Sequence, residues 1–169
     1  MPTDTSTLWT NLPPTLQDVK ARPLLVLRLA VPSPVNVGET RTGVRRVATV
    51  QSGTFDGAIE GLCGRVHPGG LDWICETSDG TTHLDARILL ETRDGDKIMM
   101  SYRGIRHGPP GVLRRLAEKE PVDPAEYYFR TAPAFETSSA NFDWLNRVIA
   151  VGCGQRLADG VLYSVFEIL

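Results

Sequence analysis

Residues 71–103 read LDWICETSDGTTHLDARILLETRDGDKIMMSYR, and this stretch decides the fold. It holds two Asp-Gly pairs, Asp79-Gly80 and Asp94-Gly95, each between runs rich in β-branched and other apolar residues. Asp-Gly suits the two-residue turn whose twist matches that of the flanking strands, because both central residues adopt positive φ there. The runs Leu71–Thr77, Leu84–Thr92 and Lys97–Arg103 are therefore predicted to form a three-stranded antiparallel meander. Connections this short leave no room for a crossover helix, which excludes a parallel sheet.

The same rhythm continues on both sides. Leu24–Val31 is a strand closed by Pro32 and Pro34, which cannot donate to a ladder. Thr42–Thr49 follows, with a turn at Ser52-Gly53. Gly61–Val66 precedes the tight turn Pro68-Gly69-Gly70. Beyond the meander come Tyr127–Ala132, Val148–Gly152 and, after a third Asp-Gly pair at Asp159-Gly160, Val161–Ile168. A short surface helix is expected from Pro109-Pro110, with Val112, Leu113 and Leu116 as its apolar stripe and Pro121 as its stop. Asn141–Asn146 reads as a turn or short helix. Residues 1–21 are a Thr- and Pro-rich arm with a helical turn at Leu16–Lys20, tacked on by Trp9 and Leu12. Residues 22–169 form one domain. The fold class is mainly β: a closed antiparallel barrel of about nine strands with one surface helix.

Composition sets the function classes. Of 169 residues, 41% are hydrophobic and 22% charged, which is globular rather than disordered. A net charge of -2 with dispersed arginines argues against nucleic acid or an anionic membrane as partner. No run approaches membrane-spanning length, and the N-terminus lacks a basic segment followed by an apolar one. Cys63, Cys75 and Cys153 are odd in number and show no CxxC spacing, so a cytoplasmic location is expected. His67, His83 and His107 lie in or beside turns without HxH or HExxH spacing, so no metal site is expected. Gly152-Cys153-Gly154 follows a strand without opening a helix and implies no dinucleotide. No cofactor is expected.

The charged residues on the strands raise the functional question. Alternate residues of a strand face opposite sides. In Leu84–Thr92 one face carries Leu84, Ala86, Ile88 and Leu90, and the other carries Asp85, Arg87, Leu89 and Glu91. Either the charges face water around a filled core, or they line a pocket. Tyr128 and Arg130 share a face, Glu136 follows Phe135, Asp72 precedes Trp73, and Asp143 precedes Trp144 with Asn146 close behind. Carboxylates and arginines among aromatic residues suit a pocket with apolar walls and a few polar groups. Inward Asp85 or Glu91 would need Arg87 or Arg130 as partner. Arg45 and Arg46 are adjacent, so at most one of them enters.

Three groups of residues carry a family resemblance. They are Gly43-Val44-Arg45-Arg46 with Gly53-Thr54-Phe55-Asp56-Gly57; Pro68-Gly69-Gly70-Leu71-Asp72-Trp73 with Asp79-Gly80 and Leu84-Asp85-Ala86-Arg87; and Pro121-Val122-Asp123-Pro124 with Tyr127 to Thr131, Phe135-Glu136-Thr137 and Trp144-Leu145-Asn146. The chain resembles, from Leu24 to Leu169, the family known as domain of unknown function 3237. The resemblance implies a lipocalin-like barrel, similar to small cofactor-free barrels that bind or transform hydrophobic or aromatic metabolites. On that basis the leading expectation is a cofactor-independent isomerase, cyclase, dehydratase or lyase acting on a small aromatic or polyketide-like molecule. Asp85 or Glu136 would be the base, Arg87 or Arg130 the holder of a carboxylate or enolate, and Tyr128 a proton donor. Trp73 and Trp144 would be walls, with Glu91, Asn146 and Arg46 as further substrate contacts. The alternative is a non-catalytic binding barrel, and a third reading is a plain scaffold with its charges outside. A homodimer is expected if Leu84, Ala86, Ile88 and Leu90 face outward and need cover.

Overall fold

The computed structural model describes residues 10–169. Trp9 lies outside them. Among the described residues the arm holds a 3-10 turn at Pro14–Leu16, slightly before the predicted one, where the Gln17 side-chain amide donates to the Leu12 carbonyl. Eleven strands follow: β1 (Ala21–Ala30), β2 (Val35–Thr40), β3 (Gly43–Val50), β4 (Ser52–Gly57), β5 (Cys63–Val66), β6 (Gly70–Glu76), β7 (Thr82–Thr92), β8 (Lys97–His107), β9 (Tyr128–Thr137), β10 (Ile149–Arg156) and β11 (Gly160–Ile168). One helix, α1 (Pro110–Ala117), lies between β8 and β9, where the paired prolines start it. Further 3-10 turns occupy Pro124–Glu126 and Asp143–Arg147.

The predicted meander is β6-β7-β8; Gly80 and Gly95 take positive φ, 82° and 92°, but Asp79 and Asp94 do not, so the connections are three-residue loops, closed by Gly80 N–H on the Thr77 carbonyl and Gly95 N–H on the Thr92 carbonyl, rather than two-residue turns. The sheet closes on itself. Eight antiparallel strands run β7-β5-β4-β1-β11-β10-β9-β8 and return to β7. β1 seals the ring by pairing with β11 on one side and β4 on the other. β2, β3 and β6 extend the wall at one end: β7 pairs with β5 through Leu90–Thr92 and with β6 through Thr82–Arg87. β2 and β4 were missed in the sequence, β2 because Pro32 and Pro34 read as the end of a strand and its own residues are polar. β9 runs through Pro133, beyond the two pairs it makes with β10, so the proline interrupts no shared ladder there.

The orientation of β7 answers the question left by its sequence. Thr82, Leu84, Ala86, Ile88, Leu90 and Thr92 are buried, whereas His83, Asp85, Arg87, Leu89 and Glu91 point outward. Burying the charged face would cost several kcal/mol per unpaired ion. Burying the apolar face instead contributes roughly 25 cal/mol per Å². The inward apolar face removes the reason given for a covering partner copy. The centre of the ring is packed by Leu27, Leu29, Val50, Leu90, Ile98, Met100 and Val165.

One close approach fixes the upper core. Gly154 on β10 faces Phe129 on β9, and a Cβ there would lie 2.6 Å from the phenyl ring. Gly154→Ala is expected to destabilise the protein by about 1–3 kcal/mol through overpacking. Gly111→Ala, on the open surface of α1 with nothing within 4 Å, is expected to be neutral or slightly stabilising. Urea unfolding midpoints of the two variants test this, and equal midpoints would contradict it.

Candidate functional site at the barrel mouth

Strand phase gathers the interior polar residues at one end. On β8 the inward residues are Ile98, Met100, Tyr102, Gly104 and Arg106, so a core stripe turns polar as it nears the end of the strand. β6 contributes Asp72 and Glu76 in the same way, β3 Arg46, β10 Arg156 and β11 Tyr163. Register aligns them. Asp72 pairs with Ala86, and Ala86 pairs with Tyr102, so the small Ala86 separates a carboxyl group from a phenol on neighbouring strands. Two inward rows further out, Glu76 pairs with Thr82, Thr82 with Arg106, and Arg106 with Phe129. Tyr102, Phe129 and Tyr163 are buried, whereas Arg46, Ile74, Glu76, Arg106 and Arg156 are only half-buried. Exposure therefore falls from the half-buried rim to the buried aromatic floor.

The floor is a ring cluster. Tyr102 and Tyr163 stand 5.4 Å apart with their hydroxyls at 3.5 Å, and Phe129 meets Tyr163 edge-on at 5.5 Å. Burial pushes both phenols above their ordinary range, so both stay protonated. Helix α1 and the segment after it flank this end. Leu116, Val122 and Tyr127 are buried, and a Cβ on Gly80 would come within 3.1 Å of Leu113 Cδ1. The Tyr127 hydroxyl accepts from the Arg156 backbone N–H at 2.8 Å.

Asp72 is the chemical centre. It is 7% exposed, and its Oδ1 accepts from the Asp85 backbone N–H at 3.1 Å. Among the described residues no cation lies within ion-pair distance of it; Arg106 acts on it from farther away. Desolvation raises its carboxyl to about 6, with the Asp85 charge adding to the rise and the Asp85 N–H and Arg106 opposing it. Arg46 and Glu76 form an ion pair at the rim. Arg106 lies 5.8 Å from the centre of the Phe129 ring, makes a long bond to Thr82 Oγ1 at 3.4 Å, and keeps a buried Nε without a partner. Arg156 donates from Nη1 to the Gly160 carbonyl at 2.8 Å. Among the described residues no group of three or more His, Cys, Asp or Glu side chains is placed to hold a metal ion.

The residues singled out from sequence are distributed differently. Trp73, Asp85, Tyr128 and Arg130 do meet, but on the outside, in an open groove of about 920 Å³ across β6–β10. There Asp85 faces Arg87 at 3.6 Å and Arg103 at 3.8 Å, and Arg130 lies over Tyr128 at 5.1 Å. Arg87 and Glu136 border a second surface hollow beside Met99. Glu91 accepts from Lys97 at 3.2 Å, His67 and Arg65 at 3.1 Å, which draw its carboxyl down to about 2. Trp144 packs against the core, and Asn146 bonds both backbone groups of Thr137. Of the ten residues, Arg46 alone joins the polar cluster at the mouth. The expectation that Asp85, Arg87, Glu91, Arg130 and Glu136 converge inside is thus corrected: water solvates these ions at less cost than the core could. Of the interior set, Asp72 was noted only as the neighbour of Trp73, and Tyr102, Arg106, Arg156 and Tyr163 were not singled out. The signal of that set was a polar residue in phase with an apolar face, as Tyr102 and Arg106 are with Ile98 and Met100.

This is a small closed antiparallel barrel with an ionisable cluster at one mouth. The chain belongs to the family described as protein of unknown function (DUF3237), whose model matches residues 19–168. A UPF0311 protein from Rhodopseudomonas palustris is 40% identical over 134 residues, 79% of this chain and 86% of its own length. The crystal structure of a conserved protein of unknown function from R. palustris superposes with a TM-score of 0.86 at 36% identity, covering 90% of this chain and 99% of that one. A β-barrel-like protein from Acinetobacter baumannii gives 0.78 at 35% identity, covering 94% and 99%. An enzyme from Penicillium herquei gives 0.66 at 20% identity, covering 89% and 95%, and shares the fold. Among the described residues no helix is long and apolar enough to cross a membrane.

Asp72 leaves a signature in stability. Its carboxyl holds a proton more tightly folded than unfolded, so its contribution is full below pH 3.8 and is lost as pH rises through about 6. Asp72→Asn keeps an acceptor for the Asp85 N–H and carries no charge. The variant is expected to match the wild type near pH 4 and exceed it at pH 8, by at most about 3 kcal/mol for a shift of this size. Denaturant unfolding at both pH values measures the difference. A variant less stable than wild type at pH 8 would contradict the burial argument.

Proposed function

We propose that this barrel is a cofactor-independent enzyme that moves protons on a small aromatic metabolite bound at the polar mouth. The observation that carries the reading is Asp72: a buried carboxyl raised to about 6, free of a close counter-ion, one small residue away from a phenol pair. Such a group exchanges a proton readily near neutral pH. As a carboxylate it takes a proton from a carbon next to a carbonyl, and the electron pair moves onto the carbonyl oxygen. The Tyr102 or Tyr163 hydroxyl donates a hydrogen bond to that oxyanion. Return of the proton to another carbon completes an isomerisation, and its transfer from Asp72 to a departing β-hydroxyl group, which leaves as water while the electron pair forms the carbon–carbon double bond, completes a dehydration. The enzyme from Penicillium herquei, built on the same architecture, supports a catalytic use of such a barrel.

Solvent deuterium exchange into a panel of aryl ketones, followed by NMR, tests this. The wild type is expected to catalyse exchange with a rate that climbs through about pH 6 as Asp72 ionises and then levels. Asp72→Asn is expected to lose about 10²–10⁴-fold of that rate. Full exchange by the variant would remove Asp72 from the chemistry. Saturable binding of the panel without any exchange would make the protein a non-catalytic binding barrel.

A further inference from the structure

The outward face of the sheet around β7 carries a pattern that the mouth does not use. Cross-strand register sets six residues in one row. Arg45 stands opposite Cys75, Cys75 opposite His83, His83 opposite Ile105, Ile105 opposite Arg130, and Arg130 opposite Cys153. The row crosses β3, β6, β7, β8, β9 and β10, and all six residues line the open groove of about 920 Å³. Trp73 lies two residues before Cys75 on β6, and Tyr128 two residues before Arg130 on β9. The antiparallel register therefore puts the two rings on opposite sides of the row. Both are about half exposed, and Ile105 and Val151 between them are exposed as well. Large apolar side chains gathered around one surface hollow mark an interaction site.

The charge of the groove gives the sign of what it binds. Three guanidiniums line it, those of Arg45, Arg103 and Arg130, against one carboxylate, Asp85. Asp85 is already shared between Arg87 and Arg103, at 3.6 Å and 3.8 Å. Among the described residues Arg45 and Arg130 have no carboxylate at ion-pair distance. Each is steadied by a neighbour and keeps further N–H groups for an incoming acceptor. Arg45 Nε donates to Thr42 Oγ1 at 3.3 Å, and Arg130 Nη1 to the Phe129 carbonyl at 2.9 Å. Arg130 also lies over the Tyr128 ring at 5.1 Å. Contact with a ring restrains the guanidinium before any ligand arrives, and its flat edge matches the two oxygens of a carboxylate.

We propose that this groove is a second binding site, and that its ligand is a planar aromatic carboxylate. The ring lies along the row between Trp73 and Tyr128, and Arg130 takes the carboxylate, with Arg45 and Arg103 adding to the positive field. The groove volume falls in the range of small-molecule sites. Trp73 and Asp72 are adjacent on β6 and face opposite ways, so this site lies across the wall from the mouth and does not depend on the chemistry proposed there.

Calorimetric titration of the full chain with 2-naphthoate and 2-naphthamide at pH 7.5, with the Trp73 indole N–H resonance followed by NMR, tests the assignment. The acid is expected to bind about 5–30-fold more tightly than the amide, and to shift that resonance as it binds. Added salt should shrink the preference, because Arg130 is open to solvent. Arg130→Met should remove most of it and leave amide binding as it was, whereas Arg130→Lys, which keeps the charge without the planar edge, should retain part. Trp73→Ser should weaken acid and amide alike by about 3–10-fold. Asp72→Asn should bind the acid as wild type does, whether or not it loses deuterium exchange, which separates this claim from the catalytic one. Equal affinity for acid and amide, a preference that survives Arg130→Met, or a preference lost in Asp72→Asn alone would each overturn the assignment. So would a dimer in sedimentation equilibrium that Trp73→Ser dissociates, since a second copy would then fill the groove.

Discussion

β1 pairs with β11 along its whole length and with β4 on its other edge, and this seam turns a meander into a ring. Once the sheet is closed, each strand residue points either into the ring or away from it, with no lateral escape. Water enters only at the ends. A polar side chain in the inward phase must therefore lie near a mouth or give up its hydration without compensation. The distribution of residues obeys that constraint. The centre is Leu, Ile, Val and Met, and the inward arginines and carboxyls all lie toward one end, with Asp72 the deepest of them.

The same closure accounts for the properties of those residues. Asp72 lies one row below the half-buried rim, deep enough to lose most of its water but still beside a backbone N–H. Its proton affinity rises because the ring denies solvent to the charged form, and the Asp85 backbone moderates the rise without cancelling it. Tyr102 and Tyr163 lie deeper and remain phenols. The result is a gradient along the barrel axis, from paired ions at the rim through a carboxyl poised near neutrality to an apolar centre.

Much of the architecture was legible in the sequence because it was written in turns. The Asp-Gly pairs at 79–80 and 94–95 are hairpins with the expected positive φ at glycine. Asp159-Gly160 also marks a hairpin, although Gly160 is required there for its contact with the Leu29 carbonyl rather than for its φ. The site was less legible because β6 inverts the usual polarity. Leu71 and Trp73 are 37% and 52% exposed, whereas Asp72 between them is buried. The alternation Leu71-Asp72-Trp73 alone places the apolar residues inside. What reverses it is the outer groove, where Trp73 lies near Ile105, Tyr128 and Val151. On β7 the charges follow the ordinary rule and stay in water, so the residues most conspicuous by type, Asp85 and Arg87, lie on the outer face rather than inside. Period-two reasoning finds two faces; only closure says which is inside.

The central claim is that the barrel wall withholds water from the Asp72 carboxyl. Carbon-13 NMR titration of that side-chain carboxyl, assigned by comparison with Asp72→Asn, measures this directly. A midpoint near pH 6 is the expected result. A midpoint at or below the ordinary value of about 3.9 would mean that the carboxyl is solvated, and the account of the mouth as a proton-transfer site would fall with it.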